Sequence, residues 1–317
     1  MKIKKNVSNL NKIGACVAAG ILMPGAAWAC ACGCGVFDVA TSSMFPAGPG
    51  GMVYVGYDYQ DQSRNWSGNS GAPAAHNGDK EIRTHFVTLG LQYLFNRSWG
   101  AQVELPLWNR TFAQDVNWPA PPAKIESRNW TGLGDIRLKG IYTGFSEDLS
   151  SGLTFGLKLP TGSFHRDGDF VDRDTQIGTG STDLLLGAFH RQNLKLGNDF
   201  QWFAQAELDV PVLTQNQYRP GVEVDAAAGI YYNGWSVGKM TITPVAQVIG
   251  SERTGDIGAA ANPPNSGYQR ILLSPGIEFH LHPLSVYADV ELPVYQHVTG
   301  NQLIAPALFK LVLSYHF

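Results

Sequence analysis

Twelve segments of about 9 to 15 residues, in each of which apolar and polar side chains alternate with period two, narrow the fold more than any other feature of the chain. They fall near 52–60, 82–95, 99–114, 128–144, 152–163, 177–190, 200–213, 220–232, 239–250, 268–281, 284–297 and 303–317, between clusters of Gly, Asn, Asp, Pro and Ser. Soluble strands average about five or six residues, whereas a strand that crosses a bilayer needs about 9 to 11, so length rather than alternation points to a membrane. An open sheet edge in hydrocarbon would leave backbone donors and acceptors unsatisfied at several kcal/mol each, so such strands must close on themselves. The expected fold is all-β: a transmembrane, antiparallel, up-and-down β-barrel of about twelve strands over 51–317.

Alternation also sorts the faces. Val87, Leu89, Leu91, Tyr93 and Phe95 oppose Thr88, Gly90 and Gln92; Leu153, Phe155, Leu157 and Leu159 oppose Thr154, Gly156 and Lys158; Val222, Val224, Ala226, Ala228 and Ile230 oppose Glu223 and Asp225. The apolar set is expected to meet lipid and the polar set the lumen. Connections such as 96–98, 145–151, 191–199, 233–238 and 282–283 are compact, while 60–81, 115–127, 164–176 and 251–267 read as exposed loops rich in Pro, Gly and charge. An even strand count with short turns on one side matches a barrel with both ends of the chain in the periplasm. Tyr54, Tyr57, Tyr93, Trp99, Trp108, Tyr142, Trp202, Tyr231, Tyr232, Trp235 and Tyr295 lie near strand ends, where interfacial girdles form.

Residues 1–29 read as an export signal: Lys2, Lys4, Lys5 and Lys12, then the apolar run 13–23, then Ala27-Trp28-Ala29 as the cleavage site. Losing four lysines and no acids takes the formal charge from -3 to -7, which disfavours nucleic acid as a partner. No apolar run after residue 30 is long enough for a spanning helix. A Cys/Gly/Pro-rich periplasmic segment, 30–50, precedes the barrel. The last strand places Phe309, Leu311, Leu313, Tyr315 and Phe317 on one face, and Tyr315 with Phe317 resembles the signal read by the barrel-assembly machinery. Outer-membrane lipid is the other expected partner.

With the apolar face outward, the expected pore-lining charges are Glu104, Asp135, Asp183, Glu207, Asp209, Glu223, Asp225, Glu278, Asp289 and Glu291, against Arg137, Lys139, Lys158, Arg270 and Lys310. Acids outnumber bases, and an acidic lumen favours cations. Val103-Glu104-Leu105-Pro106, Leu208-Asp209-Val210-Pro211 and Val290-Glu291-Leu292-Pro293 recur in strands three, seven and eleven; proline lacks a ladder donor, so each marks a bulge or an upper strand end.

Three motifs bear on other chemistry. Cys30, Cys32 and Cys34 alternate with small residues, so their thiolates can converge on a soft ion such as Cu(I), form a disulfide, or attach a periplasmic or redox partner. The acid-rich loop 167–174 lacks the spacing of an EF-hand and reads as a solvated loop. His280 and His282 share a strand face at a periplasmic turn and read as polar filler. No Ser/His or Asp/His pairing at a fixed same-face spacing marks an enzyme.

Gly132-Leu133-Gly134-Asp135-Ile136-Arg137-Leu138-Lys139, Gly156-Leu157-Lys158-Leu159-Pro160-Thr161-Gly162 and Gly180-Ser181-Thr182-Asp183-Leu184-Leu185-Leu186-Gly187 form a trio of segments. This trio resembles the outer-membrane channels grouped under the meta-pathway of phenol degradation. The resemblance implies an outer-membrane barrel with a transport role and no catalytic residues. The expected function is a channel that passes small solutes by diffusion with cation preference. The alternative is a barrel that sheathes or anchors a redox or metal-handling partner through the Cys-rich segment.

Overall fold

The computed structural model describes residues 45–46, 48–165, 170–194 and 199–317; the export signal, Cys30, Cys32, Cys34 and residues 166–169 lie outside them. Twelve staves form the wall: β1 (Gly50–Gln62), β2 (Asp79–Leu94), β3 (Trp99–Asp115), β4 (Ile125–Leu133 continuing as Ile136–Tyr142), β5 (Ser151–Leu159), β6 (Ser181–Asn193), β7 (Phe200–Thr214), β8 (Glu223–Tyr232), β9 (Met240–Arg253), β10 (Tyr268–Leu281), β11 (Leu284–Ile304) and β12 (Leu308–His316). Each pairs antiparallel with its chain neighbours, and β1 pairs with β12 from Met52↔His316 to Gln60↔Leu308, so the sheet is closed. Helix among the described residues is confined to three short 3-10 turns.

The faces follow the alternation. On β12 Phe309, Leu311, Leu313 and Tyr315 are exposed while Leu308, Lys310, Val312 and Ser314 are buried. At the seam Phe317 exchanges backbone hydrogen bonds with Gly51 (2.8 and 2.9 Å), and a Cβ on Gly51 would stand 2.3 Å from the Phe317 ring. The aromatic expectation needs correction at three positions: Tyr54 and Tyr231 are buried inside, and Trp108 lines the lumen beside Phe86. The interior is not uniformly polar. Tyr54, Phe203, Tyr231, Ile249, Leu272, Tyr287 and Val312 form an apolar layer, with Phe203 and Tyr231 stacked at 4.6 Å. That layer spans several staves of the interior wall.

The three prolines each fall at an irregularity. Pairing slips between Pro211 and Leu213 on β7 and skips Val294 beside Pro293 on β11, and opposite Pro106 stave β4 breaks at Gly134-Asp135, where Gly134 N donates to Pro106 O (2.8 Å). The sequence predicts one continuous strand over 128–144 and an exposed loop over 164–176; both need correction. Residues 170–180, which take in the later part of that loop, turn into the barrel, with Val171, Thr175 and Ile177 buried. Strand β6 accordingly starts at Ser181 rather than at residue 177.

Candidate functional site

The inward loop is held by residues from the three motifs. Asp135, at the break in β4, accepts from Gly162 N (2.9 Å), Thr179 N (2.8 Å) and Thr179 Oγ1 (2.6 Å). Thr161 Oγ1 donates to Gly134 O (2.9 Å) and accepts from Ile136 N (2.9 Å). Gly162 and Gly178 pass so closely that a Cβ on Gly178 would lie 2.1 Å from Gly162 O, which requires glycine there. From β3, buried Arg110 donates to Thr175 O (2.8 Å) and Gln176 O (3.2 Å), and to Thr84 Oγ1 (2.9 Å) on β2. Arg173 of the loop lies over the Tyr218 ring at 4.2 Å, and Tyr218 OH donates to Asp256 (2.8 Å), which also pairs with Arg253 (2.6 Å). The loops after β5, β7 and β9 are thus knitted into one cap.

Asp172 and Asp174 carry the loop's acidity. The Asp172 carboxyl faces that of Asp79 at the top of β2. Burial pushes the Asp172 carboxyl up to about 7. Burial, and then the charge of Asp256, push Asp174 up to about 7.

Below the cap, the wall from β3 to β7 is bound by one ion-pair chain. Lys139 pairs with Glu207 (2.7 Å) and Glu104 (3.9 Å), Arg137 with Glu207 (3.3 Å) and Asp209 (4.0 Å), and Lys158 with Asp209 (2.9 Å) and Asp183. Glu104 also accepts from Tyr54 OH (3.1 Å) and Gln102 Nε2 (2.7 Å). The wall from β8 to β12 is arranged differently. Tyr268 OH donates to Glu223 (2.5 Å), and Asp289 accepts from Tyr287 OH (2.7 Å), Ser274 Oγ (2.9 Å) and Gln247 Nε2 (3.2 Å). Lys310 lies 3.5 Å from Asp58 on β1. Asp225, Glu278 and Glu291 are buried on the same wall, and Arg270 lies over the Tyr268 ring at 5.1 Å.

All the charges predicted for the lumen therefore lie away from the lipid face. Asp135 differs from the rest because its carboxylate is committed to loop donors. Sequence reasoning missed Asp58 and Arg110, although Asp58 alternates with Tyr57 and Tyr59, and Arg110 shares the parity of Glu104. It also missed that Ser151 Oγ and His190 Nδ1 meet at 2.8 Å across β5 and β6.

The lumen is divided into cavities. The upper one, about 150 Å³, lies between the inward loop and the wall, lined by Phe86, Pro106, Trp108 and Ile177 on one side and Arg137, Lys158, Asp209 and Glu223 on the other. A middle one of about 90 Å³ shares Glu104 with it and is bounded by Lys139, Glu207, Phe45 and Pro46. The periplasmic mouth, about 560 Å³, is also lined by Phe45 and Pro46. Phe45 packs on Phe189 (5.4 Å) and Phe203 (5.8 Å), and Arg191 donates to Pro46 O (2.8 Å), so these two residues stand between middle and mouth.

A closed antiparallel barrel of twelve strands, belted with apolar side chains, is an outer-membrane β-barrel, and the outer membrane of a Gram-negative bacterium is its place. An outer membrane channel from Pseudomonas putida F1 has the same fold, with a TM-score of 0.65 at 12% identity over 88% of this chain and 100% of that one. The β domain of the Bordetella autotransporter BrkA gives 0.49 at 14% identity, over 85% of this chain and 100% of that one. The CymD monoaromatic hydrocarbon channel gives 0.43 at 10% identity, over 87% and 90%. The family described as "Putative MetA-pathway of phenol degradation" matches residues 94–304, and the chain belongs to it. No curated protein matches the sequence.

Proposed function

We propose that this outer-membrane channel passes one small solute at a time, up to about the size of a single ring, rather than serving as an open aqueous pore. The observation that carries this reading is the division of the lumen: a cavity of about 150 Å³ lies under the inward loop, and the ion-paired layer and Phe45 interrupt the path below it. About 150 Å³ is the size of a pocket that holds a benzene-sized molecule. The Phe86–Trp108 pair, with rings 4.8 Å apart, offers an aromatic wall, and Arg137 and Lys158 across from it suit a polar substituent. Among charged solutes we assign a cation preference to the β8–β12 wall, where Glu223, Asp225, Glu278, Asp289 and Glu291 outnumber Arg270 and Lys310.

Single-channel recording of the purified protein in a planar bilayer under a salt gradient tests both parts. The reading expects small, intermittent current with a cation-selective reversal potential, and uptake of ring-sized solutes that exceeds that of larger sugars in liposome swelling. Large steady conductance without size discrimination would contradict it. Complete absence of current and uptake would favour a barrel that sheathes or anchors a partner through its Cys-rich segment.

A further inference from the structure

We infer that the periplasmic mouth binds one divalent transition-metal ion through His280, His282 and His316. This proposal is independent of the channel reading. His280 lies at the end of β10, His282 in the turn just beyond it, and His316 ends β12; the closed barrel places β11 between the two strands. The sequence shows only the pair at 280 and 282; barrel closure adds the third. The His280 ring centroid lies 5.9 Å from that of His316 and 6.4 Å from that of His282, and all three residues line the mouth cavity.

These spacings have the right scale. With metal–nitrogen bonds of about 2.0–2.1 Å, two imidazoles on one ion stand about 5 to 6.5 Å apart, centroid to centroid. As placed, no three ligands among the described residues already surround a single point, so capture requires side-chain rotation. His282 is exposed at the turn, where its side chain has room to rotate. His280 is already oriented: its Nδ1 shares a 2.6 Å hydrogen bond with Ser285 Oγ, which leaves Nε2 for a metal. A hydrogen bond to the non-coordinating nitrogen is the usual support for a ligating histidine. Ser285 Oγ is also 3.5 Å from His316 Nε2, so coordination through that atom exchanges a long contact for a bond.

The ligand class follows from the donors. Neutral imidazoles suit Cu(II), Ni(II) and Zn(II), and Cu(II) binds most tightly among them for a given nitrogen site. The same mouth is lined by Phe45 and Pro46, eleven positions after Cys34.

The test uses the protein purified in detergent and titrated with Cu(II) alone. The expected result is one Cu(II) per chain with micromolar or tighter affinity and nitrogen superhyperfine structure in the electron paramagnetic resonance spectrum. This binding should persist when Cys30, Cys32 and Cys34 are changed to serine and weaken at least tenfold in His280→Ala, His282→Ala or His316→Ala. His282→Ala, at an exposed turn, keeps the test valid if a strand variant fails to fold. Unchanged affinity in the histidine variants, or loss of binding in the serine variant alone, would overturn the proposal.

Discussion

Asp135 accepts three hydrogen bonds from the inward loop, and with Arg110 on the neighbouring stave this carboxylate fixes where the loop sits. Hydrogen bonds to a charged group contribute about 1.5–3 kcal/mol each without being additive, and Asp135→Ala should lower barrel stability by about 3 kcal/mol in urea unfolding. The same variant should raise conductance several-fold as residues 170–180 leave the lumen. Asp172 and Asp174 make the contact pH-dependent. Both carboxyls sit at about 7 in the folded protein, against an ordinary value of about 3.9. Because the folded value is raised, their contribution to loop docking is complete below about pH 4 and is lost as pH rises through about 7. Channel current should therefore increase between pH 6 and pH 8, and Asp172→Asn with Asp174→Asn should flatten that profile; a flat wild-type profile would refute the assignment. Sequence alone identified Asp135 as an inward motif acid. It did not reveal its task, because the donors lie 27 and 44 positions downstream and meet it only after a loop folds inward.

Among the elements, the wall from β3 to β7 depends on charge pairing across staves. Lys139 stands between Glu104 and Glu207, and its removal leaves buried Glu104 without that cation while half-buried Glu207 keeps Arg137. Breaking one partner of a buried pair costs about 3–5 kcal/mol, so Lys139→Met should destabilise by that amount in thermal unfolding, and adding Glu207→Gln should restore part of it. The twelve staves were legible, since period-two alternation is a local property of each segment, but the short strand Arg64–Gly68, which pairs with β11, fell in a stretch read as an exposed loop. Element ends were less so. The break at Gly134-Asp135 leaves alternation intact on both sides, and the charged loop 170–180 reads as solvated because its partners, Arg110 and Asp135, belong to other staves. The aromatics divided for a similar reason: parity sends Tyr57 outward and Tyr54 inward, and proximity to a strand end cannot separate them.

At the scale of the whole molecule, the bilayer is the solvent that the outer belt is built for. An arginine at Leu311, in the middle of the exposed face of β12, should cost about 2–4 kcal/mol, and an interior exchange such as Ser314→Ala much less, as measured by refolding into lipid vesicles. The seam carries a kinetic consequence. Pairing β1 with β12 joins Met52 to His316, a closure across some 260 residues that costs about 5 kcal/mol in chain entropy before any contact repays it. Phe45 lies inside the ring, just ahead of β1. The order of assembly is thereby restricted: the stretch before β1 must either be in place when the last edges meet or be drawn back through the mouth afterwards. Circular permutants that relocate the seam would separate these two histories by their folding rates.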